Sequence, residues 1–248
     1  MAVEVRIFPA LQDNYGFLVR DTATGVAAAV DTPDAEAVLA AAREAGWELR
    51  HVLNTHWHPD HTQGNEAVKA ATGAEILGPE EVRRAAPLDR VLAPGDSFQL
   101  GDTRFEVIET GGHTLGHVSL HAPEAAVVFT GDALFSMGCG RMFEGTPEQM
   151  WAGLERLAAL PDETAVWSAH EYTAANARFA LSVDDDPATA ERARAEFAKR
   201  ERGEATTPST IGLEKATNPM LRAPLLHPEL APAQAFAAVR KAKDEFKG

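Results

Sequence analysis

Thr55-His56-Trp57-His58-Pro59-Asp60-His61 is the stretch on which the reading of this 248-residue chain turns. It follows Leu49–Asn54, a run with strand character, so it sits where a strand ends and a loop begins. Residues two apart in an extended segment point the same way, which lets His56 and His58 grip one ion together. Pro59 then bends the path and turns Asp60 and His61 towards a second ion beside the first. Packing alone does not explain so dense a set of ligand-type side chains. Neutral imidazole and carboxylate suit zinc, with iron and manganese as alternatives. Cysteine takes no part in the cluster, and structural zinc sites usually close all four positions, often with thiolate. The stretch therefore reads as part of a catalytic site left open to water.

These residues do not complete two ions, so further ligands are expected downstream. Gly111-Gly112-His113-Thr114 offers His113 in a glycine-rich loop whose backbone approaches closely. Phe129-Thr130-Gly131-Asp132 offers Asp132 at a strand end, where two carboxylate oxygens have the chemistry to bridge two cations. Ser168-Ala169-His170-Glu171 offers His170 at the end of the last strand. His51, His121 and His227 have no such neighbours, and Gly112 and Gly116 argue against a helix that would present His117 four residues after His113, so all four read as structural or surface residues. Two divalent ions exceed the charge of Asp60, Asp132 and one hydroxide by one unit, a local inversion of the acidic protein that suits an oxyanion.

Around this constellation the chain reads as an α/β protein. Strands are expected near Val3–Phe8, Tyr15–Arg20, Val26–Val30, Leu49–Asn54, Glu75–Leu77, Ser97–Leu100, Arg104–Ile108, Val118–Leu120, Ala126–Phe129 and Thr164–Trp167. Asp34 caps a helix through Ala45 that Gly46 stops, a second helix covers Gly64–Ala71, and Thr146 caps a third over Pro147–Leu160. From Glu171 the pattern turns helical, with Tyr172–Ser182, Pro187–Arg202 and Pro232–Phe246 separated by connectors such as Thr206–Thr210. The expected division is 1–170 and 171–248. Lys+Arg 23 against Asp+Glu 37 gives a net charge of −14, which disfavours a nucleic-acid partner. No run approaches the roughly 18 apolar residues of a bilayer span. Met1–Ile7 alternates apolar with charged residues and reads as a first strand rather than a signal peptide. The lone Cys139 fits a reducing compartment, so a cytoplasmic location is expected. A monomer is expected too, a reading that rests on no single feature of the sequence.

Thr-His-x-His-x-Asp-His followed by separate His, Asp and His at strand ends resembles the metallo-β-lactamase superfamily. That implies an αβ/βα four-layer sandwich, here followed by a small C-terminal helical domain. More narrowly, Pro9–Tyr15, Phe129–Phe135, Gly138–Arg141, His170–Thr173, Asn218-Pro219 and Arg240–Asp244 resemble the hydroxyacylglutathione hydrolases, also called glyoxalase II. The resemblance implies one metal held by His56, His58 and His113, a second by Asp60, His61 and His170, and Asp132 bridging them. It implies glutathione binding by Arg141, Tyr172, Arg240 and Lys243. It also implies hydrolysis of S-D-lactoylglutathione to glutathione and D-lactate, the second step of methylglyoxal detoxification. A hydroxide bridging the metals would attack the thioester carbonyl, with Asp60 and Asp132 as the catalytic carboxylates. The family often has Lys where Arg141 stands and Tyr where Phe143 stands. True β-lactamases of the common subclass carry Cys at the place of Asp132. A persulfide dioxygenase of the same fold, with a single iron, is the alternative.

Overall fold

The computed structural model describes residues 2–248; Met1, the start of the first expected strand, lies outside the described residues. The chain forms two compact units, one of residues up to Glu109 plus Gly116–Gly131, the other of Thr110–Leu115 plus Asp132–Gly248.

In the first unit, a six-stranded sheet runs in chain order: β1 (Val3–Ala10), β2 (Asn14–Asp21), β3 (Ala27–Val30), β4 (Leu49–Leu53), β5 (Glu75–Gly78) and β6 (Arg90–Val91). β1–β3 are antiparallel and joined by short turns, with Val5 opposite Val19 and Leu18 opposite Ala29. β3–β6 are parallel, so each connection must cross over the sheet. The crossovers are α1 (Ala35–Ala45) after β3, α2 (Pro59–Thr62) with α3 (Asn65–Thr72) after β4, and a 3-10 turn at Glu80–Arg84 after β5. α1 begins and ends as its sequence expects. The Asp34 carboxylate accepts the Ala37 N–H at 2.9 Å, and Gly46 ends the helix at φ 67°, a conformation that costs other residues more. Val38, Ala42 and Val68 from the helices pack against Leu18, Ala29, Val52 and Ile76 of the sheet. β3 is all Ala and Val and buried throughout, as a strand covered on both faces requires.

The same unit holds an antiparallel meander of β7 (Ser97–Leu100), β8 (Thr103–Glu109), β9 (Val118–Ala122) and β10 (Val127–Gly131). Phe17 of β2 meets Phe129 of β10 with ring centroids 5.7 Å apart, so the two sheets face each other. The opposite face of the first sheet carries the helices.

The second unit has one strand pair, β11 (Ala165–Ser168) with β12 (Ser209–Thr210), and six helices among its described residues. These are α4 (Pro147–Ala158), α5 (Thr173–Val183), α6 (Pro187–Glu201), α7 (Ile211–Thr217), α8 (Ala223–Leu226) and α9 (Pro232–Glu245). Thr146 and Gln149 form a reciprocal capping box at the start of α4. Trp151 of α4 packs on Phe236 of α9 at 6.1 Å. A buried ionic knot lies beneath: Arg192 of α6 pairs with Glu214 of α7 at 2.6 Å, and also bonds Ser209 and Thr217 at 2.9 Å each.

Candidate metal and substrate site

In the first unit the ligand-rich stretch leaves β4 and turns at Pro59, which occupies the first position of α2 and needs no N–H there. His56 and His61 are buried, while Asp60 stays partly exposed. The histidine tautomers follow from their neighbours. The Asp31 carboxylate has only acceptors to offer. His61 Nδ1 lies 2.8 Å from Asp31 Oδ2, so Nδ1 carries the proton and Nε2 carries the lone pair. Thr55 donates its hydroxyl to Asp31 Oδ2 at 2.9 Å, and its oxygen stands 3.0 Å from His56 Nδ1. His56 therefore presents Nε2 as well, 3.0 Å from His58 Nδ1. Two donors each ~2.0–2.1 Å from one tetrahedral zinc lie about 3.3 Å apart, close to this spacing. Asn14 donates to Asp60 Oδ2 at 3.1 Å and fixes that carboxylate from β2.

In the second unit, His113 Nδ1 lies 2.7 Å from the Arg141 carbonyl, an acceptor only, so His113 too presents Nε2 as a lone pair. That nitrogen faces Asp132 Oδ2 at 3.3 Å, and His170 Nε2 faces Asp132 Oδ1 at 3.4 Å. A lone pair opposed to a carboxylate oxygen is repulsive unless a cation stands between them. Each oxygen of Asp132 thus addresses a different imidazole, at the separation two ligands of one ion adopt. Gly140 is needed beside them, because a Cβ there would lie 2.2 Å from the Asp132 carbonyl oxygen. His170 stacks on Tyr172 with ring centroids 4.7 Å apart, and Phe143 meets His113 edge-on at 5.2 Å.

His56, His58, Asp60 and His61 of the first unit, and His113, Asp132 and His170 of the second, have the chemistry to hold a metal ion. The acceptors behind His56, His61 and His113 are of the kind that orients imidazoles at metal sites elsewhere.

A cavity of about 490 Å³ in the second unit opens onto His113 and Asp132 and is lined also by Arg141, Tyr172, Arg240 and Lys243. It gathers all four residues of the expected substrate-binding set. Arg240, buried on α9, donates to the Cys139 carbonyl at 3.1 Å and to Asp244 at 2.8 Å. Lys243 donates to the Ala175 carbonyl at 2.9 Å and lies over the Phe179 and Phe246 rings. Burial, together with the nearby Arg240, Arg178 and Arg141 charges, pushes the Lys243 ammonium down to about 8.

Two contributors escaped the sequence reading. Asp31 orients His61 and Thr55, and Asn14 holds Asp60; both look like ordinary turn residues in sequence. Of the histidines set aside, His51 and His121 face Glu75 and Glu106 at 3.6 and 3.8 Å, and burial lowers the pKa of each. His117 is buried with its ring 4.8 Å from that of His56.

The metallo-β-lactamase superfamily model matches residues 14–170, and the hydroxyacylglutathione hydrolase C-terminus model matches residues 171–246. A hydroxyacylglutathione hydrolase of Erythrobacter litoralis is 48% identical over 98% of this chain and 100% of its own length. One from Maricaulis maris is 47% identical over 98% of each. The chain belongs to the hydroxyacylglutathione hydrolase family.

The fold class expected from sequence is the one found. Among solved structures, ETHE1 from Myxococcus xanthus aligns with a TM-score of 0.71 at 28% identity, covering 96% of this chain and 90% of that one. BLEG-1, a B3 metallo-β-lactamase, aligns at 0.69 and 22% identity over 88% of this chain and 99% of its own, a likeness of fold. TTHA1623, solved in a di-iron-bound form, aligns at 0.64 and 25% identity over 87% and 98%. Among the described residues no helix is long and apolar enough to cross a membrane.

An expected result follows for Asp31. Asp31→Ala removes the acceptor that fixes the His61 tautomer and should weaken metal binding about 10–100-fold, as loss of such partners does elsewhere. Titration of metal-stripped protein with zinc measures it; an unchanged affinity would show that His61 needs no such support.

Proposed function

We propose that the protein hydrolyses S-D-lactoylglutathione and related 2-hydroxyacylglutathione thioesters to glutathione and the free acid. It would act as a cytoplasmic monomer, with 1–170 as catalytic domain and 171–248 as helical glutathione-binding domain. The carrying observation is Asp132, which faces an imidazole with each carboxylate oxygen and lines a cavity shared with Arg141, Arg240 and Lys243. The family assignment supports joining His56, His58 and His113 around one divalent ion and Asp60, His61 and His170 around another, with Asp132 shared. Zinc suits this donor set first, iron or manganese next. When bound, such ions supply water that ionises near pH 7 and positive charge for an oxyanion.

The protein's own groups do the rest. Glutathione carries two carboxylates, which Arg141, Arg240 and Lys243 attract into an otherwise acidic molecule. Tyr172 stacks on His170 and gives the peptide a flat wall. Asn14 and Asp31 hold Asp60 and His61 so that little rearrangement is needed as the carbonyl arrives. The leaving thiolate has a typical pKa of about 8.5, so its departure needs no dedicated acid. The full-length relatives and the second family model weigh against the persulfide dioxygenase alternative.

Turnover of S-D-lactoylglutathione by purified protein, with elemental analysis of the same sample, tests the reading. Metal-replete protein that leaves the thioester intact would overturn it. Lys243 gives a second check. Its ammonium is present below about pH 8 and is lost above it, so KM for the thioester should rise from pH 8 to 9.5. In Lys243→Arg, whose charge persists, KM should stay flat. A wild-type KM that is level across that range would remove Lys243 from carboxylate recognition.

A further inference from the structure

The loop from Asp132 to Arg141 carries the shared carboxylate at one end. At the other it carries the carbonyl that sets the His113 tautomer. Its tip, Phe135-Ser136-Met137-Gly138, is a buried turn closed by mutual Phe135 and Gly138 backbone bonds, N–H to carbonyl at 2.9 and 3.1 Å. Side chains of the helical region bond to the turn's carbonyls and to the Met137 N–H as well. Asn218, just past α7, donates to the Phe135 carbonyl at 3.2 Å and to the Gly138 carbonyl at 3.0 Å. Glu214 of α7 accepts the Met137 N–H at 2.9 Å, and Asn176 of α5 donates to the Ser136 carbonyl at 3.2 Å. Four consecutive residues are thus gripped one after another. Met137 is held at φ 58°, a conformation a non-glycine residue leaves unless its surroundings insist. Gly138 is pressed against Asn176, since a Cβ there would lie 2.5 Å from the Asn176 amide nitrogen. Glu214 in turn accepts from Asn218 at 2.9 Å and is neutralised by Arg192, so the grip is itself braced.

We infer that Asn218 and Glu214 are positioning residues for the metal site, acting through the Phe135–Gly138 backbone to aim Asp132 and the Arg141 carbonyl. The segment matched by the C-terminal family model would then help to assemble the ligands as well as to receive glutathione. This rests on the reading of Asp132 and His113 as metal ligands. The physical basis is that a carboxylate on an untethered loop must be ordered when the ion arrives, whereas a tethered one is ordered in advance.

Full-length Asn218→Ala is the test, read on metal-stripped protein titrated with zinc and then by steady-state kinetics on the thioester. Zinc affinity should fall about 10–100-fold and kcat with it, while KM stays within about twofold. Thr217→Val serves as the comparison. It loosens the same buried knot by removing the hydroxyl that accepts from Arg192, without touching the loop. It should lower the melting temperature and leave zinc affinity unchanged. If Asn218→Ala does not fold, Asn176→Ala withdraws the Ser136 hydrogen bond and the packing against Gly138, leaves the Asn218 and Glu214 contacts in place, and should weaken zinc at least threefold. Zinc affinity at the wild-type level in the folded variant overturns the inference, as does an equal loss in Thr217→Val. Failure of the wild-type protein to bind zinc would instead defeat the underlying ligand assignment, and no thioester is needed to tell the two apart.

Discussion

Asp132→Ala should abolish turnover, with a fall of at least ~10³-fold in kcat, and should strip metal from the purified protein. The size of the effect follows from how many tasks one carboxylate performs. Its two oxygens face His113 and His170 at 3.3 and 3.4 Å, so truncation removes a carboxylate oxygen from beside both imidazoles at once. It also removes a negative charge from a place where lone pairs converge, and a cation there loses its nearest counter-charge. Asp132→Asn separates the two contributions. The amide keeps the shape and one acceptor oxygen but turns its NH2 towards an imidazole lone pair. That variant should retain part of its metal and still lose most of its rate. Elemental analysis beside kcat on the lactoyl thioester decides the matter. Full metal occupancy in Asp132→Ala with near-normal turnover would leave this carboxylate without a role.

The legibility of this chain divides by how far apart the interacting residues lie. Asp34 and Gly46 bound α1 in sequence and in structure because capping is decided within one turn. Ser97–Leu100 is likewise a strand at the bounds its alternation gives. The short elements were not readable. The two-residue β12 and seven-residue α7 fall at and just after the connector read as Thr206–Thr210, and neither is long enough to show a period. His56 and His58 were placed together by the geometry of an extended segment. The structure has them in a loop past β4, yet their nitrogens still meet at 3.0 Å. Asp31 was invisible for a different reason. Its partner Thr55 lies on the neighbouring parallel strand's exit, and only the register of β3 on β4, Val30 opposite Leu53, brings the two side by side. Residues with the chemistry to ligate announce themselves by type; residues that hold those side chains in place are chosen by register and show no type of their own.

Arg192→Ala should be the most destabilising single change away from the ligands, by about 3–5 kcal/mol. Arg192 and Glu214 are among the most deeply enclosed charges in the described chain, with side chains 3% and 0% exposed, and they meet at 2.6 Å. Such a pair adds little net stability, because removing both charges from water offsets most of their attraction. Deleting one member is another matter. Glu214 would keep its place through Ser209, Met137 and Asn218 but lose the cation that neutralises it, and the Thr217 and Ser209 hydroxyls would lose a donor. For a chain of this size each kcal/mol moves the melting temperature by roughly 2–4 °C, so a drop of about 6–20 °C is expected. The paired change Arg192→Met with Glu214→Gln distinguishes a stranded charge from lost packing. It removes these two charges while keeping comparable volume, leaves Glu196, the other carboxylate beside Arg192, paired with Lys199 at 3.0 Å, and should recover at least half of the loss. Denaturant unfolding of the two variants against the wild type measures both steps. A single variant within 1 kcal/mol of wild type would mean that water reaches Glu214 and that the knot is less closed than its burial indicates.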